Sequence, residues 1–311
     1  MRLYNQPLGF NLSVTRGFTL KFLSFEAGGF QRLGWLLDDG ETVLSVDRED
    51  KGMPQSLMDV IRRGPYARHQ IKTAEDKLER FELGSIELTP PIIPWATFCM
   101  TANASNAADA ERLLSDEFPN VSIRTPRNHV AHGEVIDIPL RSKTLECEGK
   151  LAVILGRGGR YITVEHAPRH VFGYAIYNDS SVKGYDDHSS QFGLAKMFDL
   201  SAAFGPAIVT EDEVGDPYEQ TIETRINGET VASLPLSNMR HRIAETIAYI
   251  SSAVTMFPGD LIVMAIPTDN CAKPERFMQI DDRMDISISG VGTLSNVIKA
   301  EPTHPRTVGC C

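Results

Sequence analysis

From residue 151 onward the chain is written in short apolar runs cut by glycine and aspartate: LAVILG, VFGYAIYND, AAFGPAIVT, TIETRING, DLIVMAIP and MDISISGVGTLSNVI. Runs of this length, rich in β-branched and aromatic residues and bounded by turn formers, read as strands. Those apolar at successive positions read as strands buried on both faces. One segment among them, RIAETIAYISSAV, instead repeats its apolar residues at helical spacing, which marks the core face of a helix. Many short strands and few helices predict a mixed, β-rich α+β architecture, a sheet body folded over on itself rather than a doubly wound sheet.

The N-terminal part reads differently. FTLKFLSFEAGG and FQRLGWLLDDGETVLSVD predict a meander of alternating strands, with Asp39-Gly40 as a hairpin signal. SLMDVIRRG follows as a short helix on the spacing of Leu57, Val60 and Ile61. The proline-rich segment ELTPPIIPWATF then marks a boundary. The expected division is a small N-terminal domain over 1–90, a catalytic body over 91–300 and a flexible tail over 301–311. Within the body, SNAADAERLLSDEF predicts a helix from about 106 to 116, with Ser105 as its N-cap.

Charge and composition exclude several function classes. A formal net charge of -10 without any Lys/Arg cluster argues against a nucleic-acid partner, which would need clustered cations. No run approaches the roughly 20 apolar residues of a membrane-spanning helix, and the N-terminus lacks a signal peptide's apolar core. The five cysteines are odd in number, and Cys99, Cys147 and Cys271 stand far apart while Cys310 and Cys311 are adjacent at the end of the sequence, as free thiols of a reducing compartment would be. A cytoplasmic protein acting on a small molecule is the expectation.

Just before the apolar run at Leu151 stand Glu146, Glu148 and Lys150, in LECEGKLAVILG. Residues two apart on a strand share a face, so two carboxylates and an ammonium line the mouth of a core strand. Other candidates lie in IRTPRNHVAHGEV: Arg124 and Arg127 could clamp a substrate carboxylate, and His129 or His132 could serve as a base. His188, following Asp186 and Asp187, is a further candidate base. Each of these histidines could equally be a solvated loop residue.

Four segments together resemble the fumarylacetoacetate hydrolase family: LECEGKLAVILGRGGRYITVEHAPRHVFGYAIYNDSS, GLAKMFDLSAAFGPAIVTEDEV, INGETVASLPLSNMRHRIAETIAYISSAVTMFPGDLIV and ISGVGTLSNVI. The meander from residue 19 also resembles that family's small N-terminal domain. The resemblance implies a β-roll-like sheet body, a homodimer, and enolate chemistry on a β-dicarbonyl or 2-keto acid. It also implies a carboxylate site for Mg or Mn, since hard cations prefer oxygen ligands. In the family a Glu-x-Glu pair precedes the Leu-Ala strand, and an Asp completes the site. Carried over, Glu148 takes the first Glu position, Asp179 the Asp and Lys196 the lysine beside the metal. Lys150 stands at the second Glu position.

Other positions depart as well. Ala107 and Ala110 fall where the family's lid carries its His/Glu base, Thr125-Pro126 replaces a Lys-Pro, Lys183 replaces an Arg and MAIP, ending at Pro267, replaces a Thr-Gly-Thr-Pro loop. Glu148 and Asp179 beside the Lys150 ammonium carry a net charge of -1, as three carboxylates around a divalent cation would. Lys150 can thus take the metal's place, polarising an enolate oxygen directly, while its carboxylate neighbours keep it charged and disfavour an imine. The expected activity is C–C bond hydrolysis, decarboxylation or isomerisation, with Lys150, Glu148, Asp179, Lys196 and His132 as catalytic residues and Arg124, Arg127, His129 and Lys183 binding substrate. No cofactor is expected. One alternative keeps Mg or Mn through Glu146, Glu148 and Asp179, by a two-residue slip absorbed in a β-bulge; another is a non-catalytic binding or scaffold protein.

Overall fold

A computed structural model describes residues 20–100, 118–185, 192–266 and 276–303. The helix expected near 106–116, Ala107, Ala110, His188, Pro267 and the tail from 304 lie outside these residues.

The strands expected from the apolar runs form two principal sheets. The larger runs edge to edge through Glu79–Glu82, Thr42–Ser45, Phe30–Leu36, Lys21–Ala27, Ala202–Thr210, Val171–Asn178, Gly149–Leu155, Leu261–Met264, Thr97–Met100 and Val121–Arg124. The smaller has five strands, Glu229–Pro235, Thr221–Ile226, Arg283–Ile288, Gly292–Ala300 and Val135–Ile138. The architecture is the β-rich α+β arrangement that the run pattern predicts. The N-terminal meander continues the large sheet: Lys21 and Phe22 pair with Val209 and Ile208 across the expected domain boundary.

Among the described residues the helices are few and locally encoded. Leu57–Arg63 buries Leu57, Val60 and Ile61, and starts at Ser56, whose Oγ accepts the Asp59 N–H at 3.1 Å while the Asp59 carboxylate accepts the Ser56 N–H. Ile243–Ala253 buries Ile243, Ile247 and Ile250 against the core between the sheets, and the Glu245 carboxylate caps its start at the Arg242 N–H. At the meander's turn Gly40 adopts φ 73°, and the Asp39 carboxylate accepts the N–H groups of Glu41 and Thr42.

The strand Gly149–Leu155 is central, and both its faces are covered. Leu151, Val153 and Leu155 join the core toward the five-stranded sheet, while Ala152 and Ile154 join the core toward the N-terminal helices. Alternation therefore puts Lys150 on the second face, at the end of an apolar row. The two sheets approach so closely at Gly149 that an added Cβ would stand 2.7 Å from Ile286 Cγ2 and from Thr224 Oγ1. Glycine at this position sets the spacing of the sheets one residue before Lys150.

Gly149→Ala forces one sheet away from the other. A loss of about 1–3 kcal/mol in unfolding free energy is expected, the usual cost of overpacking a close contact, and urea denaturation of the two proteins measures it.

Candidate functional site

Glu148 and Asp179 meet because two strands keep one register. The pairing Lys150 to Tyr177 and Gly149 to Asn178 in the large sheet leads into Glu146 to Ser181 and Leu145 to Val182 in a short two-stranded ladder, with no residue gained or lost between them. The Asp179 N–H donates to the Glu148 carbonyl at 2.8 Å, so the pairing is carried through the junction. The register shift in this pair of strands falls at Ile154/Leu155, at the other end. A slip between Glu146 and Lys150, which would make Glu146 and Glu148 the pair next to the core strand, is not found.

Asp179 is fully buried and meets three cations. Arg124, at the end of Val121–Arg124, donates from Nε at 2.9 Å and Nη2 at 2.5 Å to Oδ1, and its other N–H bonds go to the carbonyls of Ser180 and Lys196. Lys150 Nζ and Lys196 Nζ each stand 2.5 Å from Oδ2. Lys150 Nζ also lies 3.0 Å from Glu148 Oε2 and 3.2 Å from the Met100 carbonyl. The Lys150 side chain is 4% exposed, whereas that of Glu148 is 51% exposed and forms the solvent edge of the cluster.

The charges settle the protonation of these groups. Burial alone would raise the Asp179 carboxyl, but the charges of Lys150, Lys196 and Arg124 hold it well below the usual carboxylate range. Burial would lower Lys150, and Asp179 and Glu148 outweigh it, so the ammonium persists above its ordinary range. The charge of Lys150 likewise lowers Glu148, which stays ionised at neutral pH.

Among the described residues three cations thus face two carboxylates, an excess of one positive charge where Lys150, Glu148 and Asp179 alone give a deficit. The difference is Lys196 and, above all, Arg124. Arg124 is not placed as a substrate clamp: it is buried, and four of its five N–H groups go to Asp179 and two carbonyls. A cationic, half-open site of this kind attracts an anion.

The other residues singled out in the sequence are dispersed. Glu146 faces Ser181, with its carboxylate 3.6 Å from Lys183 Nζ. Arg127 is exposed. His129 is buried, with Nδ1 3.2 Å from the Pro126 carbonyl and Nε2 2.9 Å from the Tyr177 hydroxyl. A carbonyl only accepts, so Nδ1 carries the proton and Nε2 accepts from Tyr177. Burial, helped by the charge of Arg124, depresses the imidazole to about 4. His132 sits apart from this cluster: its Nδ1 accepts the Ser295 N–H at 3.1 Å, and it lines a groove of about 820 Å³ walled by Leu23, Leu36, Leu88, Pro206 and Val291. None of Arg124, Lys150, Asp179 or Lys196 lines that groove.

A divalent metal does not fit the donor set as it stands. Both Asp179 oxygens are engaged by cations, an ammonium lies between Asp179 and Glu148, and Glu146 is turned to Lys183. Among the described residues no cluster of three or more His, Cys, Asp or Glu side chains could hold a metal ion.

Comparison with known proteins agrees with the fold. Residues 96–299 match the family model of the fumarylacetoacetate hydrolase C-terminal domain. The oxaloacetate tautomerase YisK of Bacillus subtilis is 30% identical over 301 residues, covering 90% of this chain and all of that protein. The fumarylacetoacetate hydrolase of Exiguobacterium antarcticum superposes with a TM-score of 0.78 at 30% identity, over 91% of this chain and 100% of that one. Maleylpyruvate hydrolase from Sphingobium sp. SYK-6, crystallised with manganese(II) and pyruvate, gives a TM-score of 0.76 at 22% identity, over 91% and 100% of the two chains.

Asp179→Ala leaves three cations packed together without their shared counter-charge. A loss of about 3–5 kcal/mol is expected, as for breaking a buried ion pair, and denaturant unfolding tests it. A second expectation concerns His129, whose depressed pKa means that the unfolded chain binds its proton first. Its contribution to stability is complete above about 6.5 and is lost as pH falls toward 4, to a total of about 3 kcal/mol. Measured by urea unfolding at stepped pH, a His129→Asn variant has a flatter profile across that window, whatever its stability at neutral pH.

Proposed function

The chain belongs to the fumarylacetoacetate hydrolase family, and from that premise we propose that it tautomerises a small 2-keto or β-dicarbonyl acid through an enolate, with Lys150 taking the place of a divalent metal. The observation that carries this reading is the Lys150 ammonium itself, seated between Asp179 and Glu148 in a cluster with positive charge to spare.

Enolate formation pushes negative charge onto a carbonyl oxygen. Fixed donors aimed at that oxygen lower the barrier because they need no reorganisation when the charge arrives. Lys150 and Lys196 supply them. Both are oriented by Asp179, and Arg124 locks Asp179 in turn, so the donors are held from behind by buried contacts. The excess charge also favours an anionic substrate before any reaction, as a carboxylic acid is at neutral pH.

Hydrolysis of a C–C bond and decarboxylation pass through the same enolate, but each asks for more. Hydrolysis needs an activated water, and decarboxylation needs a particular alignment of the departing carboxylate. Tautomerisation needs only that a proton be removed and replaced. It is also the activity named for the Bacillus relative.

The test pairs the wild type with Lys150→Glu. Wild type is expected to accelerate the keto–enol interconversion of oxaloacetate, followed by enol absorbance, with a chelator present, and to give no heat on titration with Mn in a calorimeter. Lys150→Glu restores three facing carboxylates and is expected to bind Mn. Tight binding of Mn by the wild type, with activity lost to the chelator, overturns the metal-free reading in favour of a conventional metal-dependent enzyme.

A further inference from the structure

Three acceptors crowd the Lys150 ammonium: it donates to Asp179 Oδ2 and to the Met100 carbonyl, and it pairs as an ion with Glu148 Oε2 at 3.0 Å. A substrate oxygen reaches this ammonium only by displacing one of them. Asp179 is fully buried and gripped by two further cations, so removing it would strand charges in the interior. The Met100 carbonyl belongs to the strand Thr97–Met100 and is fixed by the backbone. Glu148 alone is half exposed, on a flexible side chain that water can solvate when it leaves.

Resting on the enolate reading above, we propose that the substrate carbonyl oxygen takes the place of Glu148 on Lys150, and that the released Glu148 carboxylate is the base that carries the proton. Glu148 then removes a hydrogen from the carbon next to the carbonyl. The C–H pair becomes the new C=C bond, and the carbonyl π pair moves onto the oxygen held by Lys150. The proton on Glu148 passes to that oxygen, which gives the enol and regenerates the carboxylate. Nothing is consumed, and the reverse sequence returns the ketone.

Two features make Glu148 fit for this. In the free protein the contact with Lys150 keeps it ionised and quiet, and losing that contact leaves a carboxylate that accepts a proton more readily. The histidines are poorly placed for the same task among the described residues: His129 Nε2 is closed off by Tyr177, and His132 lines the other groove. The exchange at position 150 and the base are thereby linked, since a carboxylate bound to a divalent cation would be held more firmly in its ionised form and be a weaker base.

Glu148→Gln and Glu148→Asp decide it with two readouts. One is exchange of the oxaloacetate C3 protons in deuterated water; the other is calorimetric binding of oxalate, a stable anion shaped like the enolate. For Glu148→Gln, exchange should fall by at least about 100-fold while oxalate binds as tightly as to wild type or more so, because its competitor for Lys150 is weakened. Glu148→Asp should restore part of the exchange. Exchange within about threefold of wild type in Glu148→Gln, or loss of oxalate binding in parallel with exchange, overturns the assignment and leaves Glu148 a structural role. A wild type that neither exchanges nor tautomerises oxaloacetate is a separate result, which removes the enolate reading and the base together.

Discussion

The Asp179 carboxylate holds a cluster of cations together in the interior. A carboxylate taken wholly out of water is tolerated only with partners, and among the described residues it has three cations: Arg124, Lys150 and Lys196. These cations come from three segments far apart in sequence, a strand edge, the core strand and a short turn. Each would be costly to bury without the anion. Asp179 therefore fixes the end of Val121–Arg124 and the turn at Phe192–Lys196 relative to the central strands as firmly as apolar contact would, and with more directional demand.

The cluster is built where the large sheet passes from an apolar interior to a polar mouth. Along one face of Gly149–Leu155 the row runs Ile154, Ala152, Lys150, and Tyr177 faces Lys150 on the neighbouring strand. Tyr177 turns its hydroxyl to His129, so even the first ring behind the site is satisfied. Behind the opposite face, Gly149 lets the five-stranded sheet press close. The ammonium thus stands on a strand held from both sides, which is the rigidity a preorganised oxyanion partner requires.

Much of this was legible in the chain. The apolar runs and their punctuation give the strands, and the spacing of Leu57, Val60 and Ile61 and of Ile243, Ile247 and Ile250 gives two of the helices, though not Pro65–Thr73 or Glu211–Val214. Period-two alternation places Glu146, Glu148 and Lys150 on one face, and the apolar run after them shows that this face becomes buried at Lys150. What one strand's pattern cannot show is its partner. Arg124 was visible as a cation in a basic stretch, but its commitment to Asp179 depends on a pairing across 55 residues. The sign of the local charge therefore came out reversed. The place of His132 is hidden for the same reason: its neighbour Ser295 is 163 residues away, and it lines another groove. Gly149 reads as an ordinary strand weakener until the second sheet is laid against it.

The unbroken register between Leu145–Lys150 and Tyr177–Val182 also governs how such a protein can change over generations. One residue inserted or deleted here would exchange the faces of everything beyond it, sending Lys150 into the apolar core and Gly149 or Leu151 into the mouth. Length variation is closed to this segment. Innovation at the mouth is confined to replacing one side chain by another in a frame that does not move, and Glu-to-Lys at a single position is the shortest such step that reverses a charge while leaving every backbone pairing intact.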